Sequence, residues 1–206
     1  MKTFLYGASG HAKVIAEILE DNNIIIGGLF DDNESIKNLL GYNCYGKFDI
    51  NILKNNKLII SIGDNKIRKK IAEKYLDLNY DIAIDKNAKI SKRATINKGT
   101  VIMKGVSVNS STTIGKHCIL NTNASIDHDC KIEDFVHLSP NVALAGNVKV
   151  GEGTHIGIGA SVIPNITIGK WCTIGAGTVI IKDVPNYSTV VGNPGKIIKT
   201  GNKHEK

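Results

Sequence analysis

From Ile84 to Ile180 a branched aliphatic residue occupies every sixth position, seventeen times in register. The series runs Ile84, Ile90, Ile96, Ile102, Val108, Ile114, Leu120, Ile126, Ile132, Leu138, Leu144, Val150, Ile156, Val162, Ile168, Ile174 and Ile180. Four residues after each stands a second, mostly small residue, among them Ala88, Thr100, Cys118, Ala124, Cys130, Ala160 and Cys172. A 3.6-residue helical period cannot hold this pattern, and plain strand alternation would not reset at every sixth residue. Units this short bury their apolar side only by stacking on their neighbours. The pattern therefore predicts hexapeptides of one short strand and one corner, three to a triangular turn, in a parallel solenoid of between five and six coils. Gly115, Gly151, Gly157, Gly169 and Gly175 each directly follow a repeat aliphatic, which puts them at corners where the backbone path is tight. A β-sandwich is the alternative, but its turn spacing would drift.

Residues 2–83 follow a different rule. An apolar strand over Thr3–Tyr6 meets Gly7-Ala8-Ser9-Gly10-His11, after which Val14, Ile15, Ile18 and Leu19 recur at helical spacing as far as Asp21. A second apolar run, Ile24 to Phe30, ends on Asp31-Asp32. A short helical piece is expected around Ser35 to Leu40, then a strand from Lys57 to Ile62 ending at Gly63-Asp64-Asn65, then a helix through Ile67, Ile71, Tyr75 and Leu78.

A glycine turn that opens a helix aims free N–H groups at whatever lies there, which favours a phosphate. Acids closing the next strand can bond ribose hydroxyls or a base. Gly7-x-x-Gly10 lacks the full dinucleotide fingerprint, and a domain of about 80 residues is short for two mononucleotide halves. A bound mononucleotide is therefore read ahead of a purely structural turn, and a nicotinamide cofactor behind both. His11 either reaches the phosphate or is a capping or solvent-exposed side chain.

The hexapeptide repeat resembles that of the left-handed β-helix acyltransferases; the handedness is implied by the resemblance alone, since the general crossover rule favours the right-handed sense. With the Ser9-Gly10-His11 turn and the Asp31-Asp32 pair ahead of the repeat, the chain is similar to the bacterial nucleotide-sugar acetyltransferases. These include the UDP-4-amino-sugar N-acetyltransferases of the bacillosamine type and their sialic acid O-acetyltransferase relatives. The resemblance covers Phe4 to about Ile198. It implies a small Rossmann-like domain over residues 1–83, a left-handed parallel β-helix over 84–185 and a closing segment and tail over 186–206. It also implies that Ser9, Gly10, His11, Asp31, Asp32 and Gly63 hold a UDP-linked amino sugar.

The richest polar stretch of the repeat is Asn121 to His137. His128 falls in neither inward slot of its hexapeptide, so its imidazole is expected to point outward. Acetyl transfer from a thioester requires the attacking amine or hydroxyl to lose a proton, and a histidine is suited to take it. A carboxylate on the other ring nitrogen, Asp129 or alternatively Asp127, would fix the tautomer. The resemblance implies the same roles, with His128 as base and Asp129 standing where bacillosamine-type members carry Glu. Eighteen residues make one coil, so Gly146 lies one coil above His128 and is expected to leave a slot for a thioester beside the ring. The alternative is a corner glycine that needs an unusual φ.

His137 and His155 are also eighteen apart and stack on one line, without a carboxylate or cysteine to complete a metal site. The resemblance implies that His137 contacts acetyl-CoA, that Asn121 supports the site, and that Gly157, Ile158, Gly175 and Ala176 line the pantetheine track. His128 and His137 lie half a coil apart, so they can meet only between subunits, and the implied assembly is a homotrimer. Val190-Val191-Gly192-Asn193-Pro194-Gly195-Lys196 is similar to the closing segment of the same family, with Gly195 where alanine is usual. Lys196 either meets CoA phosphates or is a solvated lysine. Residues 201–206 are polar and expected to be disordered.

Composition narrows the rest. The chain has 206 residues, 42% hydrophobic and 22% charged, without an apolar run long enough to span a membrane or a signal peptide pattern, so a cytoplasmic location is expected. The net charge of +7 does not point to nucleic acid, because only Arg68 and Arg93 are arginines and the lysines are dispersed. Cys118, Cys130 and Cys172 sit in the small inward slot and read as apolar fillers, leaving Cys44 alone and no disulfide or zinc pattern. The expected activity is acetyl-CoA-dependent N-acetylation of a UDP-linked amino-deoxy sugar. O-acetylation of a sialic acid or other sugar hydroxyl is the alternative within the class, and a non-catalytic nucleotide-sugar-binding scaffold the alternative outside it.

Overall fold

The computed structural model describes residues 1–201; the disorder expected of the last five residues concerns positions outside the described ones. The N-terminal third is a three-stranded parallel sheet in the order β2-β1-β5, built from β1 (Thr3–Tyr6), β2 (Ile26–Phe30) and β5 (Lys57–Ile60). Helix α1 (Gly10–Asp21) connects β1 to β2 and buries Ala12, Ile15, Ala16, Ile18 and Leu19. Between β2 and β5 the expected helical piece at Ser35 to Leu40 is instead a hairpin, β3 (Asn38–Leu39) with β4 (Tyr42–Asn43). Its two loop residues, Leu40 and Gly41, both have positive φ, the geometry of a tight hairpin turn. A single-turn helix, α2 (Ile50–Leu53), precedes β5, and α3 (Asn65–Lys74) follows it, ending four residues before the expected Leu78.

Seventeen two-residue strands follow, β6 (Ala83–Ile84) to β22 (Val179–Ile180), each ending on one aliphatic of the repeat. Each strand from β6 to β19 pairs in parallel with the one three hexapeptides on, as in Val108↔Ile126↔Leu144. Three sheets result, and the first gains β23 (Ser188–Val191) and then β24 (Lys196–Thr200), which turns back antiparallel. The interior is one column of repeat aliphatics alternating with the small slot.

Three of the four buried threonines of the small slot are paired, while the hydroxyl of the fourth, Thr178, has no partner among the described residues. Thr100, Thr112 and Thr154 each donate from the hydroxyl to a carbonyl fifteen residues on, and accept the N–H of Cys118, Cys130 and Cys172 one coil above. Satisfied in this way, a hydroxyl enters an apolar column without the desolvation penalty of an unpaired one. Corners close through a residue in the left-handed region three positions after the aliphatic, such as Asn123, Asp129, Phe135 and Asn147. At the corner glycines the next coil is close: a Cβ on Gly115 would lie 2.6 Å from Asp134 N, and one on Gly157 would lie 2.7 Å from Ile174 O.

One corner column joins the two parts. His117, Phe135 and Trp171 occupy equivalent positions in separate coils, and the imidazole of His117 stacks on Phe135 with ring centroids 5.3 Å apart. Helix α3 lies against this column, and Lys69 Nζ sits 5.8 Å from the Phe135 ring centre and 5.6 Å from that of Trp171. No described helix is long and apolar enough to cross a membrane.

Candidate active site

Three groups of the expected residues come together, each on its own part of the molecule. The first is the turn after β1. Gly7 has φ +114, and a Cβ there would lie 2.7 Å from Ile62 Cγ1, so only glycine fits. Ser9 is the N-cap of α1 but makes no side-chain capping bond, which leaves its hydroxyl and the first N–H groups of the helix open toward a ligand. Nothing lies within 4 Å of where a Cβ on Gly10 would stand, so the approach is clear.

The acids are partly committed to shaping this turn. Asp31 accepts the N–H of Ala8 at 2.6 Å and that of Asn33 at 2.8 Å, while Asp32 accepts the hydroxyl of Tyr6 at 3.0 Å. Burial, followed by that hydrogen bond, pushes the Tyr6 phenol well above its ordinary range, so it remains a donor. The Nε2 of His11 is buried without a partner, and burial, then the charge of Arg68, hold the ring neutral with its pKa lowered to about 4.

The second group lies where the N-terminal part meets the β-helix. His137 and His155 stack with centroids 4.7 Å apart and planes 13° from parallel. Asn121 Nδ2 is 3.3 Å from His137 Nε2, and Ser139 Oγ is 2.8 Å from His155 Nε2. His137, His155 and Gly63 border an open cleft of about 560 Å³, along with Asp64, Lys66, Trp171 and Thr173. The pKa of the His137 ring falls to about 3 through burial and then the charges of His155 and Arg68. No cluster of three or more metal-ligating side chains occurs among the described residues.

The third group is the corner between β13 (Ser125–Ile126) and β14 (Lys131–Ile132). His128 points outward as expected, with 58% of its side chain exposed, and its Nδ1 lies 2.7 Å from Asp129 Oδ2. Asp129 takes the left-handed position of the corner at φ +60, a conformation acidic residues tolerate. Asp127 instead accepts the N–H of His128 at 2.8 Å and the amide of Asn109 at 2.8 Å, so Asp129 rather than Asp127 bonds the ring. The Asp129 hydrogen bond, and then the charge of Asp127, raise the His128 pKa above its ordinary value.

Gly146 lies against His128 as expected, and the imidazole occupies the volume a side chain there would take: a Cβ on Gly146 would stand 2.7 Å from Cε1 and 2.8 Å from Nε2. Gly146 is not among the glycines with positive φ, so its lack of a side chain answers to the ring and not to the backbone.

The residues expected along acetyl-CoA divide between faces. Asn121, Gly157 and Gly175 fall in one vertical line, with Ile158 and Ala176 beside it, on the corner that follows the His137 sheet. His128 and Gly146 stand on the next corner, across the width of a sheet. Lys196 is exposed on β24. Within one chain, therefore, His128 and the His137 column do not share a site. Arg68, Asn65 and Trp171 were not anticipated; the scarcity of arginine was the only sequence signal for the first.

Comparison with known proteins bears on the family and the fold. Residues 2–75 match the family described as the PglD N-terminal domain, and residues 147–182 match the bacterial transferase hexapeptide (six repeats). PerB from Caulobacter crescentus, solved in complex with CoA and GDP-perosamine, is 35% identical with a TM-score of 0.93, the match covering 97% of this chain and 98% of that one. The acetyltransferase domain of PglB from Neisseria gonorrhoeae, in complex with acetyl coenzyme A, is 34% identical with a TM-score of 0.90 over 96% of this chain and 98% of that one. Uncharacterized protein L142 of Acanthamoeba polyphaga mimivirus is 36% identical over 97 residues, 47% of this chain, and the match spans only 20% of that protein's length. In fold and sequence the chain belongs to the sugar N-acetyltransferase family of the left-handed β-helix class.

Proposed function

We propose that the chain transfers the acetyl group of acetyl-CoA to the amine of a nucleotide-linked amino-deoxy sugar, with His128 as general base. The observation that carries this reading is the exposed His128–Asp129 pair, with Nδ1 and Oδ2 2.7 Å apart. With Nδ1–H donated to the carboxylate, Nε2 keeps its lone pair for the substrate. As the amine nitrogen bonds to the thioester carbonyl carbon, Nε2 takes the amine proton. When the C–S bond breaks, that proton is available to the departing thiolate. Asp129 fixes the tautomer and stabilises the imidazolium.

The turn at Ser9-Gly10-His11, with Asp31 and Asp32, holds the nucleotide through helix N–H groups and the remaining carboxylate oxygens. Similarity to PerB, whose structure contains CoA and GDP-perosamine, supports a nucleotide-linked amino sugar as acceptor. UDP is our first choice of nucleotide and GDP the competitor. Asn121, His137, Gly157, Ile158, Gly175, Ala176 and Lys196 would follow acetyl-CoA along the outside of the helix. Because this track and His128 occupy different corners of one prism, we place the reaction between chains of a cyclic trimer, in the cytoplasm.

Release of free thiol from acetyl-CoA, followed with UDP- and GDP-linked 4-amino-deoxy sugars and with sialic acids, tests the reading. Turnover with a nucleotide-linked amine is expected. Turnover with sugar hydroxyls alone would overturn the choice of N-acetylation.

A further inference from the structure

Arg68 is 1% exposed and heads the largest side chains withdrawn from solvent. Among the described residues no carboxylate forms an ion pair with it. Its donors go instead to backbone carbonyls and one amide: Nε to His117 O at 2.7 Å, Nη1 to Ile62 O at 3.0 Å and Gly63 O at 3.1 Å, and Nη2 to Phe135 O at 2.9 Å and Asn65 Oδ1 at 2.8 Å. Asn65 in turn donates from Nδ2 to Gly153 O at 3.0 Å. His117, Phe135 and Gly153 are eighteen residues apart, so the two side chains grip the same rung position in three successive coils.

A buried guanidinium without a counter-ion is costly, and its planar fork is tolerated only where oxygen acceptors meet its N–H groups. Here those acceptors come from both halves of the chain at once. On one side are the carbonyls of His117 and Phe135 in two successive coils, with that of Gly153 in a third held through Asn65; on the other is the turn at Gly63, which borders the same cleft as His137. The charge of Arg68 also contributes to keeping His11, His137 and His155 neutral, as expected of a cation close to that cleft.

Resting on the function proposed above, we infer that Arg68, together with Asn65, is a positioning residue. It sets the Gly63 turn in register with the His137 column, and so fixes where a nucleotide-sugar held by the N-terminal part presents its amine. Neither residue touches the reacting atoms.

The test compares Arg68→Lys and Asn65→Ala with the unaltered chain by hydrogen exchange and steady-state kinetics. Expected are exchange at amides 62–68 faster by about tenfold, the scale of one lost charge-assisted hydrogen bond, and a KM for nucleotide-sugar raised by a similar factor. The KM for acetyl-CoA and the protection of the β-helix amides are expected to stay unchanged. Should Arg68→Lys fail to fold, Asn65→Ala carries the test alone. Unchanged exchange at 62–68, or the two KM values rising together, overturns the inference while turnover by the unaltered chain keeps the proposed function. An unaltered chain that acetylates no nucleotide-linked amine overturns both.

Discussion

Gly146 and His128, eighteen residues apart in sequence, are in van der Waals contact, with the imidazole lying over the bare Cα one coil above it. The ring fills the volume that any other residue at 146 would claim. Gly146→Ala is therefore expected to swing the imidazole away and lower kcat by about 10². Its melting temperature should move little, because the ring is exposed and can rotate. An unchanged kcat would mean that the contact does not place the base.

Asp129 raises the pKa of His128, and a general base works only when neutral, so kcat/KM should climb with pH and level off above the ordinary histidine value. Asp129→Asn keeps a side chain that accepts φ +60 but removes the charge. The acidic limb of the profile should then shift to lower pH, with a lower plateau from loss of orientation. A limb that stays in place would show that the carboxylate does not govern the ring.

Thr112 supports the catalytic corner from inside. Its hydroxyl donates to Asp127 O at 2.7 Å and accepts Cys130 N–H at 3.1 Å, bracketing His128. Thr100 makes the same two bonds elsewhere in the stack, to Gly115 O and from Cys118 N–H. Valine at either position should cost about 1–3 kcal/mol of stability in denaturant unfolding, through buried groups left unpaired. Only Thr112→Val should also reduce turnover. Equal turnover in the two variants would contradict this support role.

Burial holds His11 and His117 at a pKa of about 4 and His137 at about 3. Unfolded histidines titrate near 6.5, so between that value and the folded ones the unfolded chain binds more protons. Stability is thus complete above pH ~6.5 and lost progressively as pH falls toward about 4. Urea midpoints measured from pH 7 to 4.5, above most carboxylate titration, should decline steadily. A flat profile would contradict neutral burial of these rings.

The repeat was legible because its constraint is local: each hexapeptide must supply one large and one small inward residue, and Ile84 to Ile180 do so without a slip. His128 and Asp129 were legible for the same reason, since register alone puts position 128 outside. The hairpin at Asn38 to Asn43 was missed because Leu40-Gly41 is a weak turn signal, and only positive φ at both residues reveals it. Composition marks Arg68 only as one of two arginines. Its partners are carbonyls from coils 49 and 67 residues away, and backbone acceptors leave no trace in side-chain patterns. Register places Gly146 in the His128 column, but it does not give the rotamer of the ring that lies against it.

The central claim is that His128 takes the proton from the attacking amine. Acetyl-CoA consumption by His128→Ala, measured with a nucleotide-linked amino sugar at saturating substrate, tests it most directly. The predicted result is a kcat lower by about 10² to 10⁴ with both KM values close to those of the unaltered chain. A kcat within a few-fold of the original would contradict the account, whatever else the corner does.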